Sequence, residues 1–455
     1  MGLIKDKIEE AVIKQSVSKA IKNPKDNLSN LLDTIEKYDK NKILNKQYCY
    51  LKKALNNPNG NLYKFIIRIL NDIDENILEK LICNFIINIV TKGIPKTNEI
   101  EQKEGCNVPY AIAIDLVSLS NEKTLSLEYE TIAKIVSEGK ELGCYLYLLT
   151  GDEPLAKKDE ILKLCKANND CIFVVFTDLK LMDEEFAKKS KKIENLLFSV
   201  SIEETEESTD IKDGKGTYKK SIEAMEILKK EKILFGFSTC VTSHNEEYVI
   251  SENYINNMIN LGCKYGLYYN YLPVGTDSSV DLIVEPIQRE AMYFRLMEYR
   301  KTKQIFLVDF LNDARFFGGC IAGGKYYLHI NATGDVEPCR FIHYSNANIK
   351  NVSLLDAIKQ PLFREFQVNQ PFNKNLLKPC PLLDNEGKLA EMVHKTGANS
   401  TNISNLENVD SLSAKCSDFA NNWDKIADEL WQNDPKGIEQ KQKDEKAKRE
   451  EFIKQ

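Results

Sequence analysis

The first hundred residues place their apolar side chains at helical spacing. Apolar positions mostly recur three or four residues apart, first at Leu28, Leu31, Leu32 and Ile35 and then at Ile73, Ile77, Leu78, Leu81 and Ile82. Such spacing lines one face of a helix. Turn-forming residues at positions 57–60 divide the segment. The pattern predicts an all-helical N-terminal domain over residues 1–104, and nothing in it indicates catalysis.

From about residue 108, short apolar runs alternate with amphipathic segments. The runs that predict strands are 110–117, 144–149, 171–176, 196–202, 233–241 and 265–271. The segments that predict helices are 126–142, 156–167, 183–192, 217–231, 251–261 and 286–303. Six strand–helix units in series are typical of an α/β fold with a parallel sheet, open or closed into a partial barrel, over residues 108–310. In such folds, functional groups collect where the strands end.

After the last predicted helix, the alternation gives way to loops that contain glycine and cysteine. A short strand is predicted over residues 326–330, a short helix over 354–359 and a final helix over 418–431. These elements predict a small C-terminal cysteine-containing α+β domain over residues 311–431. The charged segment 432–455 is predicted to be a tail, either a solvated helix or disordered.

Composition limits the classes of function. The chain has 455 residues, of which 42% are hydrophobic and 29% are charged, which is ordinary for a soluble globular protein. The net charge is −6 and lysines alternate with acidic residues, so no basic face for nucleic acid or a membrane surface is expected. The longest apolar run, 81–90, is about half as long as a bilayer span. We expect a cytoplasmic protein without nucleic-acid or membrane partners.

Twelve cysteines are spread along the chain. In a reducing cytoplasm they are expected to stay free of disulfides. Most free cysteines pack as small apolar side chains, so spacing has to distinguish metal ligands from core residues.

A short turn follows the second predicted strand at Gly151-Asp152-Glu153-Pro154. Thr177-Asp178 follows the third strand, and Ser201-Ile202-Glu203 ends the fourth. With the C-terminal cysteines, this series resembles the radical SAM superfamily, specifically proteins with a C-terminal SPASM-type domain, over roughly residues 108–431. The resemblance implies a partial (β/α)6 TIM-like barrel. In that family the second strand ends in a Gly-Gly-Glu-Pro turn that holds the amino group of S-adenosylmethionine (SAM).

The resemblance also implies where residual SAM contacts would lie. The corresponding residues are Thr150, Gly151, Asp152, Glu153 and Glu203. Asp152 and Glu153 equally suit the N-terminus of a helix that has Pro154 in its first turn. Glu203 equally suits a strand-end carboxylate paired with a lysine. Both interpretations stay open at this point.

The C-terminal cysteines resemble the opening signature of an auxiliary iron–sulfur domain. Cys320 is followed by thirteen residues, Gly334, four more residues and Cys339, in the run CIAGGKYYLHINATGDVEPC. The resemblance implies that Cys380 and Cys416 supply the third and fourth thiolates of an auxiliary [4Fe–4S] cluster, which requires four ligands. The alternative is four buried core thiols. His329 and His343 lie nearby, but such histidines are more often structural than ligands.

One motif of the family is missing. A radical SAM enzyme carries a Cys-x3-Cys-x2-Cys loop directly after its first barrel strand, and its three thiolates leave one iron open to bind SAM. Here residues 118–125 contain no cysteine. Ser126 is predicted to cap the next helix, with Glu128 in its first turn. Carboxylates also replace the family's residues at three positions of the SAM site: Asp152, Asp178 and Glu204.

The leading hypothesis is therefore a degenerate radical SAM/SPASM protein that no longer cleaves SAM. It would retain one auxiliary cluster and act as a binding or electron-transfer scaffold, with a peptide or protein as its partner. One alternative is an active radical SAM enzyme, similar to peptide maturases, that uses a ligand set not visible here. Another is a metal-free interaction protein that docks its partner through residues 1–104.

Overall fold

The computed structural model describes residues 2–39, 42–120, 123–202, 205–403 and 406–454. Within these ranges it contains an N-terminal set of helices, a mostly parallel ten-stranded sheet and a C-terminal helical region with short strands. No helix in them is both long and apolar enough to cross a membrane. The predicted partial barrel with a helical N-terminal region is confirmed.

The N-terminal region consists of α-helices and one π-helical segment, Asn84–Gly93. The α-helices are α1 (Gly2–Lys22), α2 (Pro24–Tyr38), α3 (Asn45–Leu55), α4 (Asn61–Asp72), α5 (Glu75–Cys83) and α6 (Ile94–Glu104). Asp74 starts α5 because its carboxylate accepts a hydrogen bond from the backbone N–H of Asn76. Gly105 ends α6 in the left-handed conformation, with φ of 62°.

These helices cover the rim of the barrel where the strands begin. The Asn84 amide donates to the carbonyl oxygen of Cys171 at 2.9 Å, next to the start of a strand. The Arg68 guanidinium donates to the carbonyl oxygens of Gln304 at 2.7 Å and Ile259 at 2.6 Å. The N-terminal region is therefore bonded to the rim opposite the strand ends, where functional groups are expected.

Each predicted run has a strand close to it, and the described residues form five further strands. The strands are β1 (Ala111–Ser120), β2 (Lys123–Ser126), β3 (Leu146–Gly151), β4 (Ile172–Thr177), β5 (Leu196–Ser201), β6 (Phe235–Val241), β7 (Tyr265–Asn270), β8 (Phe306–Asp309), β9 (Tyr327–Ile330), β10 (Val336–Glu337), β11 (Tyr344–Ser345) and β12 (Asn399–Ser400). The large sheet has the order β10-β9-β1-β3-β4-β5-β6-β7-β8, and β2 pairs with β1. All neighbours from β9 to β8 are parallel.

Helices alternate with the barrel strands. They are α7 (Tyr129–Leu142), α8 (Lys158–Ala167), α9 (Glu184–Ile193), α10 (Glu206–Asp213), α11 (Thr217–Lys230), α12 (Glu246–Val249), α13 (Glu252–Leu261) and α14 (Pro286–Thr302). Short 3-10 helices are Pro154–Lys157, Val280–Leu282 and Asn312–Phe316. β8 extends the predicted set of parallel strands by one.

The C-terminal region contributes to the same sheet. Its hairpin β9–β10 pairs β9 with β1, so the barrel sheet continues into residues that were predicted to form a separate domain. Its helices are α15 (Leu354–Ile358), α16 (Pro361–Asn369), α17 (Lys388–Thr396), α18 (Val409–Asn433) and α19 (Pro435–Lys454). The charged tail is thus the helix α19, and the predicted helix over 418–431 is part of the longer α18.

Side chains on the strands alternate between the helices and the barrel interior. Tyr147 faces the helices, because its hydroxyl donates to the carbonyl oxygen of Val136 in α7 at 3.0 Å. Tyr268 likewise donates to the carbonyl oxygen of Val249 in α12 at 2.9 Å. Thr150 and Tyr269 have the opposite parity and therefore face the interior. This interior leads to the candidate site.

Candidate functional site at the strand ends

The end of β1 forms a β-hairpin with β2. β1 continues to Ser120 and pairs with β2, from Val117 opposite Ser126 to Ser120 opposite Lys123. Ser126 is therefore the last residue of β2, and its prediction as a helix cap is wrong; Glu128 holds the N-cap position of α7. The physical reason is that residues 117–120 alternate apolar and polar side chains, which is the period of a strand, and backbone pairing with this arm makes residues 123–126 a strand.

Gly151 lies at the closest approach of β3 to β1. Its φ is 116°, and a Cβ built there would be 2.2 Å from the carbonyl oxygen of Val117. That same oxygen accepts a hydrogen bond from the backbone N–H of Asp152 at 3.0 Å. A side chain at position 151 would therefore collide with backbone as well as adopt an unfavourable conformation.

Asp152 ties the turn to the hairpin. Its carboxylate accepts hydrogen bonds from the backbone N–H of Leu119 and from the Ser118 hydroxyl, the latter at 3.2 Å. Both donors belong to the segment where the family would carry cysteines. Asp152 is therefore bonded across the strand ends, and it does not cap a helix.

Glu153 begins the 3-10 helix Pro154–Lys157. Its carboxylate accepts hydrogen bonds from the backbone N–H of Leu155 at 2.8 Å and from the Thr177 hydroxyl at 3.1 Å. Burial, together with a hydrogen bond to the neighbouring Asp178, raises the pKa of Glu153 to about 7. The helix-terminus interpretation therefore holds for Glu153, and two carboxyl groups from β3 and β4 meet at this rim.

Glu153→Gln is expected to raise stability by about 1–2 kcal/mol at pH 8, because the amide removes a buried charge and still accepts from Leu155. The folded state holds this proton up to about pH 7, whereas an ordinary glutamate loses it near 4.5. The wild-type protein therefore loses stability as pH rises between these values, and the variant lacks this component. Urea titrations at pH 5 and pH 8 measure the difference.

The exposed Glu223→Gln is the matched control and is expected to leave both titrations unchanged. Equal free energies for wild type and Glu153→Gln at pH 8 would contradict the carboxyl pairing.

Two predicted SAM contacts remain, Thr150 and Glu203. Thr150 faces the interior, and its hydroxyl donates to the Asp115 carboxylate on β1 at 2.7 Å. Glu203 lies outside the described residues. The structure thus brings Thr150, Gly151, Asp152 and Glu153 together at one rim, where each contacts a protein neighbour.

A buried ionic network joins β1 to the hairpin β9–β10. His329 Nε2 lies 3.1 Å from the Asp115 carboxylate, and its Nδ1 lies 2.7 Å from the Glu337 carboxylate. Glu337 also accepts from the Thr401 hydroxyl at 2.6 Å and lies 3.0 Å from Nδ1 of His343. His329 and His343 are therefore structural, as the sequence suggested.

This network fixes the charge of His329. Burial acts to lower its pKa, but Asp115 and Glu337 outweigh burial and raise the pKa to about 10. Burial acts to raise the pKa of Glu337, but His343 and His329 outweigh it and lower the pKa to about 2. An imidazolium therefore bridges two carboxylates between the barrel and the C-terminal region.

Half-buried aromatic side chains line the interior on the far side of the barrel. Tyr269 on β7 stacks on Phe310 with ring centroids 4.4 Å apart. Its ring also lies 6.1 Å from that of Phe341, which comes from the C-terminal region. Since β9 flanks β1 at the other end of the sheet, this contact crosses the open side of the partial barrel.

The four predicted cluster ligands lie in the C-terminal region with raised thiol pKa values. Burial, then the charge of Cys320, raises the pKa of Cys339 to about 12. Burial, then Asp384, raises the pKa of Cys416 to about 12. Burial, then Asp384 and Cys320, raises that of Cys380 well above its ordinary value. Cys320 is therefore close enough to Cys339 and Cys380 to contribute to the raised pKa of both thiols.

The geometry does not fit a four-thiolate cluster. Among the described residues, no three cysteine, histidine, aspartate or glutamate side chains form a group that could hold a metal ion. Cys380 and Cys416 instead belong to an apolar cluster with Leu383 and Trp423. The closed ligand set that a [4Fe–4S] cluster requires is therefore not assembled in this arrangement.

The fold and the site together define a class of protein: a partial parallel barrel with polar groups at its strand ends and an attached cysteine-containing region. The radical SAM superfamily model matches residues 105–251, and the SPASM model, described as an iron–sulfur cluster-binding domain, matches residues 320–381. The chain thus carries a radical SAM domain followed by a SPASM domain. Domains of these types imply SAM and iron–sulfur clusters as cofactors. No curated protein matches the chain with statistical support.

Solved structures share the fold. Streptococcus suis SuiB bound to S-adenosylmethionine matches with a TM-score of 0.52 and 15% identity, over 64% of this chain and 76% of that chain. SuiB bound to its precursor peptide SuiA matches with a TM-score of 0.52 and 14% identity, over 64% and 75%. SuiB alone matches with a TM-score of 0.51 and 13% identity, over 61% and 72%. At such identities, the likeness concerns the fold.

Sequence reasoning missed two features of the site. Glu337 and Asp115 were not singled out, although a buried histidine needs partners and both residues lie on strands that flank β9, which carries His329. The pair Arg289 and Asp384, described below, gave no signal, because the two residues are 95 positions apart and occupy no recognisable motif.

Proposed function

We propose that this chain is a binding protein on the radical SAM/SPASM fold that does not cleave SAM. The β1–β2 hairpin carries the proposal. In the family, a three-thiolate loop at this place holds the cluster whose open iron binds SAM and delivers an electron. Here paired backbone and an Asp152 carboxylate occupy the end of β1, without a thiol.

The polar groups of the turn support the same proposal. Thr150 is bonded to Asp115, Asp152 to the hairpin, and Glu153 to Leu155 and Thr177. A SAM ammonium group would have to share these carboxylates with their present protein donors. The polar groups of the turn are therefore already engaged within the protein, and no step is assigned to the cofactor.

The auxiliary cluster is not part of the proposal, because the predicted thiols form no ligand group among the described residues. An active enzyme would also need a cluster at the hairpin, where residues 118–125 carry no cysteine.

A peptide is the partner we propose. Apolar side chains stand exposed at the strand-end rim: Leu119 on the hairpin, Leu181 after β4 and Val280 after β7, with exposed fractions of 62%, 42% and 47%. Exposed apolar side chains around the rim suit an extended or helical peptide. The fold neighbour SuiB binds a precursor peptide, which is consistent with this assignment.

The SAM part of the proposal predicts no saturable binding of labelled SAM in equilibrium dialysis up to about 1 mM, where a useful cofactor site would be filled. The same measurement on Asp152→Ala tests the turn. Micromolar binding that Asp152→Ala weakens would contradict the proposal, because it would place SAM on the turn.

The peptide part predicts that panning a displayed random-peptide library on the protein enriches sequences with apolar residues. These peptides should lose at least tenfold in affinity for the double variant Leu119→Asp, Leu181→Asp, about the worth of one apolar anchor. Ile8→Asp is the matched control, since Ile8 is exposed on α1, in the region bonded to the opposite rim. No enrichment, or equal loss with Ile8→Asp, would contradict the assignment.

A further inference from the structure

A completely buried ion pair lies at the centre of the C-terminal region (residues 311–431). Arg289 comes from α14 of the barrel, and its guanidinium contacts the Asp384 carboxylate at 2.5 Å. Both side chains have an exposed fraction of 0%. The guanidinium also donates to Asn312 Oδ1 at 3.1 Å and to the carbonyl oxygen of Leu377 at 2.8 Å. Its charge and its hydrogen bonds are therefore fully matched within the protein.

The same pair fixes the loop that carries Cys380. The second oxygen of Asp384 accepts a hydrogen bond from the backbone N–H of Cys380 at 2.8 Å. The Asn385 amide donates to the carbonyl oxygens of Lys378 at 3.0 Å and Cys380 at 2.9 Å. Side-chain acceptors and donors thus hold this loop in place, which is the task that metal ligation performs in a structural cluster domain.

Two aromatic side chains of α18 pack against the guanidinium of the Arg289–Asp384 pair. The guanidinium of Arg289 lies 4.4 Å from the ring centroid of Trp423 and 5.9 Å from that of Phe419. The Trp423 indole N–H donates to the carbonyl oxygen of Leu377 at 3.1 Å. α14, the Cys380 loop and α18 therefore meet at one point.

The thiols around this point are packed as core. Cys416 has an exposed fraction of 1% and lies in the apolar cluster that contains Leu383, Leu389 and Trp423. Leu383 and Leu389 are themselves fully buried. Cys380 belongs to the same cluster, and Cys320 and Cys339 pack against it, so all four thiols lie among close-packed apolar side chains.

A second ionic contact joins the same elements. The Arg315 Nε lies 3.0 Å from the Asp434 carboxylate, which also accepts a hydrogen bond from the Tyr293 hydroxyl of α14 at 2.7 Å. Arg315 and Asp434 are both nearly fully buried. Asp434, at the end of α18, is thereby bonded to α14 of the barrel and paired with Arg315.

We infer that the buried Arg289–Asp384 pair, and not an iron–sulfur cluster, organises the C-terminal region of this chain, which folds without metal. The pair joins barrel helix, cysteine loop and α18 as a cluster would, and the thiols serve as apolar packing. This inference goes beyond the proposed function, because a protein that cannot cleave SAM could still carry a structural cluster.

The test uses the full-length protein, reconstituted without oxygen with iron and sulfide and then desalted. Iron and sulfide are expected at background level, and melting followed by tryptophan fluorescence is expected to be unchanged by a chelator. Both tryptophans of the chain, Trp423 and Trp431, lie on α18 and report on this region. Bound iron of about four atoms per chain that Cys320→Ser or Cys380→Ser removes would overturn the inference.

Variants test the ion pair itself. Asp384→Asn is expected to lower the fluorescence melting midpoint by about 10 °C, since it leaves a buried guanidinium without its counter-charge. Asp410→Asn, at an exposed carboxylate of α18, is the matched control and should melt as wild type does. Cys320→Ser should also melt near the wild type. A large loss with Cys320→Ser and none with Asp384→Asn would reverse the assignment.

Discussion

Replacing Gly151 by alanine is expected to destabilise the protein by about 3 kcal/mol or more, the combined effect of strained backbone and overpacking. Gly151 has a φ of 116°, and the added methyl group would lie 2.2 Å from the carbonyl oxygen of Val117. That oxygen belongs to β1 and is held by the hydrogen bond from Asp152, so neither strand can yield cheaply. Urea titration of the purified variant measures the change.

The variant Gly214→Ala separates the effect of strained backbone from the effect of overpacking. Gly214 has a φ of 100°, but a Cβ there would meet no atom within 4 Å. It is therefore expected to cost only about 1 kcal/mol, the conformational penalty alone. Equal losses for both variants would mean that β1 and β3 are not locked together at the turn.

His329→Gln is expected to cost about 3–5 kcal/mol at pH 7, because it leaves the Asp115 and Glu337 carboxylates buried without their shared cation. The variant should also change the pH dependence. The pKa of His329 rises from 6.5 to about 10 on folding, so its stabilisation is complete below pH 6.5 and disappears as pH rises through 10. Denaturation between pH 6 and pH 10 should show this decline in the wild type and lack it in the variant.

His394→Gln is the matched control. His394 also contacts a carboxylate, that of Asp410 at 2.8 Å, but its side chain is 59% exposed. Its replacement should change stability by no more than about 0.5 kcal/mol. If His329→Gln behaved like His394→Gln, the imidazolium would not be the link between β1 and the C-terminal hairpin.

The local pattern predicted most of the barrel. Apolar runs of strand length and amphipathic helices between them depend on near neighbours in sequence, and the strands β1 and β3 to β7 lie within a few residues of the predicted runs. The hairpin at Ser118–Ser126 was mistaken for a loop and helix cap. Ser126 precedes two glutamates and therefore suits the N-cap of a helix. Only its pairing with β1 shows that it belongs to a strand.

The sequence could not predict the ionic contacts that join the regions. Arg289 contacts Asp384, which lies 95 positions later in the sequence. Asp115 on β1 contacts His329 on the neighbouring strand β9. Such contacts depend on which strand ends and helices become neighbours, and β9 beside β1 was not foreseen. The cysteine signature drew the prediction towards a cluster, whereas burial among leucines places Cys380 and Cys416 in the core.

Release of 5′-deoxyadenosine tests most directly whether the β1–β2 hairpin has replaced the SAM-cleaving site. The reconstituted protein is incubated with SAM and a strong reductant without oxygen, beside an active radical SAM enzyme as a positive control. We expect no more deoxyadenosine than in the protein-free reaction. Deoxyadenosine formed over several turnovers per chain, and absent after heat treatment of the protein, would contradict it.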